Sequence, residues 1–115
     1  MVIPELRSIH SPDLSEDAIP EDPRNCQILI QGLIGPKGEL GEESFDFVVV
    51  TPTALTQLVG HRWGHGLLLV ESFDWGLIRT AVDKILRHCE GETWEEVANK
   101  IGRYFSWEFD GYKGA

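Results

Sequence analysis

The length, composition and charge of the chain restrict what it can be. Its 115 residues are the size of one domain, so we expect a single domain over residues 1–115. Hydrophobic residues make up 42% of the chain and charged residues 25%, a balance typical of globular proteins and not of disordered or fibrous ones. Ten basic against 19 acidic residues give a net charge of −9. This charge argues against nucleic acid or anionic lipid as a direct partner, since both select basic surfaces.

The apolar segments and the cysteines indicate an intracellular protein. No apolar run approaches the roughly 20 residues that a membrane helix needs, and the first residues lack the pattern of a signal peptide. We therefore predict a cytoplasmic location and no membrane partner. Cys26 and Cys89 occur in unlike contexts and are predicted to be free, structural thiols.

The acidic residues are unevenly distributed. Residues 1–50 contain ten acids and three bases, whereas residues 51–115 contain nine acids and seven bases. Solubility alone would explain an acidic composition. A carboxylate-rich first half would also suit a basic protein partner.

The first half of the chain carries the pattern of a β-sheet. An apolar-containing segment at residues 2–10 is followed by the acidic loop, residues 11–25, which is rich in Ser, Pro, Asp and Glu. Apolar and polar residues then alternate over residues 26–34 and again over residues 42–51. Glycines and other turn formers separate the two runs, which predicts a β-hairpin whose hairpin tip comprises residues 35–43.

Two helices are predicted from their capping residues. Asp74 is a suitable N-cap for a helix whose apolar residues form one stripe up to Cys89, with Gly91 ending it. Thr93 and Glu96 form a capping box, in which each side chain accepts a hydrogen bond from an exposed backbone N–H of the first turn. A further helix is therefore predicted to begin at this point.

Three shorter elements complete the predicted order. Thr51 followed by Pro52 indicates the start of a helix that ends at Gly60. The apolar run at residues 67–70 indicates a short buried strand, and the aromatic–polar alternation at residues 104–109 indicates a last strand. The order β-β-β-α-β-α-α-β predicts an α+β fold, with a mainly antiparallel β-sheet and about three helices packed on one face.

Few residues are candidates for catalysis or metal binding. His61 and His65 stand four apart, but the glycines around them favour a loop and no third ligand accompanies them. His88 and Cys89 are helix neighbours and point in different directions. We therefore predict no catalytic, metal-binding or cofactor-binding residue. Trp63, in the same loop as the histidines, is either a core residue or an aromatic anchor for a partner.

The hairpin tip is not a phosphate-binding loop. The pattern GxxxxGK[ST] is absent, and the carboxylates of Glu39, Glu42 and Glu43 would repel phosphate.

Several short motifs, taken together, resemble one protein family. They begin in the acidic loop, continue through the hairpin tip and end near the C-terminus, so that their order and spacing extend over almost the whole chain. The chain resembles the Imm8 family of immunity proteins from bacterial polymorphic toxin and contact-dependent growth inhibition systems. The motifs are Ser11-Pro12-Asp13-Leu14, Pro20-Glu21-Asp22-Pro23, Ile34-Gly35-Pro36-Lys37-Gly38, Gly41-Glu42-Glu43-Ser44-Phe45-Asp46-Phe47, Thr51-Pro52, Asp74-Trp75, Gly91-Glu92-Thr93-Trp94-Glu95-Glu96, Arg103-Tyr104 and Trp107-Glu108-Phe109.

The resemblance implies a protein that is not an enzyme and that binds a toxin. Its partner would be the toxic C-terminal domain of a secreted effector, blocked inside the producing cell or its siblings. Many such toxins are nucleases with basic clefts, so an acidic surface would take the place of the phosphate backbone. We expect the chain itself to be a monomer or a weak homodimer. The predicted toxin-binding residues are Glu16, Asp17, Glu21, Asp22, Glu39, Glu42, Glu43 and Trp63.

Two other functions stay open at this point. One is a non-catalytic interaction or regulatory module without a toxin partner, which the neighbouring genes would distinguish. The other is a small enzyme that uses a pair of carboxylates in a pocket, which would require carboxylates with strongly perturbed titration.

Overall fold

The computed structural model describes residues 1–57 and 65–107, and within them the predicted order of elements is confirmed. The fold is α+β, with a mainly antiparallel sheet and three helices. The elements are β1 (Pro4–His10), β2 (Gln27–Pro36), β3 (Glu43–Val50), α1 (Pro52–Thr56), β4 (Leu67–Leu69), α2 (Trp75–Leu86), α3 (Trp94–Ile101) and β5 (Ser106–Trp107).

The sheet is built on β2 and β3. β1, β2 and β3 are successive antiparallel neighbours, so the predicted hairpin is confirmed. β4 pairs in parallel with the second half of β3, at Val48–Val50, and β5 pairs antiparallel with its first half, at Phe45 and Asp46. These two short strands therefore share the edge of β3 that β2 leaves open, and β1 forms the opposite edge of the sheet.

The alternation of apolar residues in β2 and β3 places one face of the sheet in the core. Ile30 lies opposite Phe47, and Ile28 lies opposite Val49. All four side chains are buried. Removing each such side chain from water contributes about 1.5–3 kcal/mol to folding. Helices α2 and α3 pack on this face and complete the core with Ile78 and Val82 of α2 and Val97 and Ile101 of α3.

Helix α2 begins as predicted but ends earlier. The Asp74 carboxylate accepts hydrogen bonds from the backbone N–H groups of Gly76 and Leu77, as an N-cap does. The helix ends at Leu86, so the prediction that it continues to Gly91 was wrong. After Leu86 the backbone continues in turn bonds as far as Cys89, and Gly91 forms a two-hydrogen-bond bridge with Val2, a contact distant in sequence.

The predicted capping box at α3 is confirmed in one half and altered in the other. The Thr93 hydroxyl accepts the N–H of Glu96 at 3.1 Å. The Glu96 carboxylate accepts the N–H of Glu92 at 3.2 Å instead of that of Thr93. It also packs on Gly91, where a Cβ would lie only 3.0 Å from the carboxylate carbon.

Three details of the shorter elements differ from the sequence-based expectation. Thr51 stands at the N-cap position of α1 but makes no cap bond; its hydroxyl instead accepts the N–H of Cys26, joining the start of β2 to the end of β3. Leu69 in β4 is 57% exposed, because this strand lies at a sheet edge and is not buried. β5 begins later than predicted, since Tyr104 and Phe105 belong to the turn and bend before it, and its predicted end at Phe109 lies outside the described residues. The predicted end of α1 at Gly60 lies outside the described residues.

Within the described residues, no helix is both long and apolar enough to cross a lipid bilayer. Cys26 and Cys89 are free and buried.

Candidate binding surface

The hairpin tip folds back onto the sheet and is held there by Arg7. Nη2 of Arg7 donates to the carbonyl oxygens of Pro36 (2.8 Å) and Glu39 (2.7 Å), while its Nε pairs with Glu5 at 3.3 Å. Arg7 lies at the bulge in β1, where the register with β2 shifts between Leu6 and Ser8. The guanidinium thus joins the first strand to two carbonyls of the tip.

Glycines allow the tip to approach so closely. A Cβ on Gly35 would lie 2.2 Å from the carbonyl oxygen of Gly41. Gly38 and Gly41 have φ values of 81° and 101°, which other residues rarely adopt. The result is a compact turn that presents Leu40 to solvent, with the side chain 98% exposed. The exposed side chains of Glu39 and Glu42 flank it.

The acidic loop is attached to the body of the protein at several points. The indole N–H of Trp75 donates to the carbonyl of Ala18 at 2.8 Å, and the N–H of Phe73 donates to the carbonyl of Pro23 at 2.8 Å. The Asp13 carboxylate accepts the N–H of Leu29 at 3.3 Å. These bonds give a loop without regular secondary structure a defined path between β1 and β2.

A cleft of about 590 Å³ lies between β1, the acidic loop and α2. Glu16 and Asp17 line it, and so do the cations Arg7 and Arg79, so its charges of opposite sign are balanced. Asp17 adopts φ 60°, which turns the loop sharply at this point. Both carboxylates are exposed to solvent. Neither is therefore a buried carboxylate of the kind that some enzymes use as a general acid.

The predicted toxin-binding acids do not form one cluster. Glu21 and Asp22 precede β2, whereas Glu39, Glu42 and Glu43 follow it. Because β2 has ten residues, it is about 30 Å long at roughly 3.3 Å per residue, and these two groups flank its opposite ends. Glu16 and Asp17 form a third group, in the cleft beside β1. Trp63, the remaining predicted residue, lies outside the described residues.

Two of the residues considered for metal binding or catalysis, His65 and Cys89, make local contacts within the fold, and the side chain of His88 is exposed. Nε2 of His65 lies 2.8 Å from the carbonyl oxygen of Gly102, within hydrogen-bond distance. The Cys89 thiol donates to the carbonyl of Ile85, and burial raises its pKa, which disfavours the thiolate form. Among residues 1–57 and 65–107, no cluster of His, Cys, Asp and Glu side chains has a metal-binding arrangement. His61 is not among the described residues.

Sequence reasoning missed Arg7 and Leu40. Leu40 is an apolar residue in a turn of glycines and charged residues, where hydrophobic side chains are unusual. This unusual position was the feature of the sequence that could have marked Leu40 as a candidate contact residue. Nothing near Arg7 in the sequence indicates its role, because its two carbonyl partners are 29 and 32 residues away.

Comparison with known proteins agrees with the resemblance noted from the motifs. The family model described as Immunity protein 8 matches residues 4–112, which contain every described strand and helix. No significant match was found among curated proteins or among solved structures. Since the family model covers nearly the whole chain, the chain belongs to the Imm8 family of immunity proteins.

Proposed function

We propose that this immunity protein neutralises a nuclease toxin by covering its basic, nucleic-acid-binding cleft with acidic side chains. Membership of the family implies protection against a toxin. The observation that carries the finer proposal is the set of exposed acids on the two connecting segments. These are Glu16, Asp17, Glu21 and Asp22 in the acidic loop and Glu39 and Glu42 in the hairpin tip.

These acids are available to a partner. In the described part of the chain, ion pairs are formed by other carboxylates, those of Glu5, Glu71 and Glu96. The net charge of −9 adds a long-range attraction toward a basic cleft. Carboxylates spaced along a surface would occupy the positions that phosphates take in the toxin's substrate.

The three groups of acids can be tested separately, because the fold keeps them apart. The variants are Glu16→Lys/Asp17→Lys, Glu21→Lys/Asp22→Lys and Glu39→Lys/Glu42→Lys/Glu43→Lys. A matched control is Glu90→Lys/Glu92→Lys, which reverses two exposed acids outside both connecting segments. The measurements are affinity for the toxin domain encoded beside the gene, its dependence on NaCl, and toxin activity.

We expect at least one group to lower affinity by about 100-fold more than the control and to flatten the salt dependence, since each reversed charge replaces attraction by repulsion. If all three variants bind and inhibit as the control does, acidic side chains do not form the contact. If the unaltered protein fails to bind the toxin domain, neutralisation by binding is wrong.

A further inference from the structure

We propose that Leu40 is an apolar anchor that inserts into a pocket of the partner protein, and that Arg7 positions it. The proposal deepens the proposed function, because it takes the toxin domain as that partner. It predicts a pocket with an apolar floor and a rim of basic side chains on the toxin.

The exposure of Leu40 is the first argument. Its side chain is 98% exposed, more than any other large hydrophobic side chain in residues 1–57 and 65–107, where the next is Met1 at 79%. Burial is what makes an apolar side chain stabilising, so Leu40 contributes almost nothing to the isolated fold in this position. It would contribute to a complex, in which a partner removes it from water.

The rigidity of the tip is the second argument. Arg7 donates to the carbonyls of Pro36 and Glu39, so the residue immediately before Leu40 is tied to the first strand. On the other side of Leu40, the carbonyl of Gly41 lies directly over Gly35. A side chain carried on a backbone held in this way needs little further ordering of that backbone when it binds, which is the advantage of a preorganised anchor.

The charges around Leu40 define the kind of pocket. Glu39 and Glu42 are exposed on either side of it, with Lys37 as the basic residue of the tip. Binding hot spots have an apolar centre surrounded by a polar rim that excludes water. Acids at this rim favour a basic protein surface over a lipid bilayer, since anionic headgroups would repel them.

The first test compares two leucine truncations. Leu40→Ala removes the anchor, and Leu77→Ala removes a 49% exposed leucine on the surface of α2 as the control. Affinity for the cognate toxin domain is measured by titration calorimetry, after thermal unfolding has shown that both variants are folded. We expect Leu40→Ala to weaken binding by about 30-fold, the size of a hot-spot effect, and Leu77→Ala to change it less than twofold.

The second test asks whether Arg7 acts through Leu40. Arg7→Lys keeps the charge but loses the planar group that reaches both carbonyls. We expect it to weaken binding in the presence of Leu40 and to have a much smaller effect when combined with Leu40→Ala. Equal effects in both backgrounds would show that Arg7 does not position the anchor.

Thiol protection supplies a direct readout of contact. In Leu40→Cys, the new thiol is exposed, whereas Cys26 and Cys89 are buried and have raised pKa values. A thiol reagent should therefore label the new thiol selectively, and bound toxin should slow this labelling at least tenfold.

The outcomes separate the two proposals. Wild-type affinity for Leu40→Ala, or unprotected labelling in the complex, overturns the anchor and leaves neutralisation of the toxin in place. Failure of the unaltered protein to bind the toxin domain overturns both.

Discussion

At the scale of single residues, the shape of the hairpin tip depends on a position without a side chain. A Cβ on Gly35 would lie 2.2 Å from the carbonyl oxygen of Gly41 and 2.8 Å from Nη2 of Arg7. Neither atom is the free end of a mobile chain, because the first belongs to the backbone and the second binds two carbonyls. Any side chain at this position must displace the tip.

Gly35→Ala is therefore expected to lower the free energy of unfolding by about 1–3 kcal/mol, the usual cost of overpacking. Urea denaturation provides the measurement. Gly102→Ala is the control, since Gly102 has φ −61° and a Cβ there would lie 3.4 Å from its nearest neighbour, the carbonyl oxygen of Ala98. Alanine there should be neutral or stabilise by about 0.4–1 kcal/mol. Equal stability of the two variants would show that the tip does not fold back over Gly35.

The buried thiols make stability depend on pH at the alkaline side. Burial raises the pKa of Cys26, and the nearby carboxylate of Asp22 raises it further. The folded protein thus holds this proton more tightly than the unfolded chain does. The resulting stabilisation is complete below the ordinary thiol pKa of about 8.5 and is lost as the pH rises above it.

We expect Cys26→Ala to reduce this loss. Thermal unfolding of both proteins between pH 7 and 10 should show a steeper decline for the unaltered chain. The comparison of slopes removes the contributions of groups that the two proteins share. Parallel curves would contradict a raised pKa at Cys26.

At the scale of elements, the helices begin at residues whose side chains bind exposed backbone N–H groups. Asp74 accepts two such bonds at the start of α2, and Thr93 accepts one at the start of α3. These bonds are local, which is why the starts of both helices were predicted correctly. The end of α2 was not: the helix ends at Leu86, and Gly91 instead forms a bridge with Val2, a contact that neighbouring residues do not indicate.

Two exposed threonines distinguish a cap from an ordinary helix position. Thr93→Ala removes the bond to the N–H of Glu96 and should lower the free energy of unfolding by about 1 kcal/mol. Thr80→Ala, within α2, should be neutral or slightly stabilising, because alanine is the better helix former. Urea denaturation measures both. A similar loss in the two variants would indicate that the cap bond is not what stabilises α3.

At the scale of the whole molecule, the net charge of −9 acts on the rate of association. Attraction between an acidic protein and a basic cleft extends over roughly 10 Å at 0.1 M salt and shortens as salt is added. The association rate constant with the toxin domain should therefore fall at least tenfold between 20 and 500 mM NaCl, conditions chosen to span weak and strong screening. The dissociation rate constant should change much less.

Stopped-flow mixing over this range measures the association step, and the Leu40→Ala variant serves as a reference. Its salt slope should match that of the unaltered protein, since no charge has changed, while its complex should dissociate faster. An association rate independent of salt would show that the negative charge does not steer the encounter.

Sequence alone determined the features that depend on neighbouring residues. The alternation in β2 and β3 indicated which side chains enter the core, and Ile30, Phe45 and Val49 are indeed buried. Asp74 and Thr93 marked helix starts, and the order of elements followed from these local signals. The motifs along the chain also indicated the family that the family model confirms.

Tertiary structure alone decided how the acidic segments are arranged. The sequence placed the acids in two segments without specifying how these lie in space, whereas the length of β2 places Glu21 and Asp22 near one end of this strand and the hairpin tip at the other. The clamp of Arg7 on the tip, and with it the exposure of Leu40, joins residues about thirty positions apart. Such contacts follow from strand pairing and register, which local patterns do not specify, because they are set by the packing of the whole sheet.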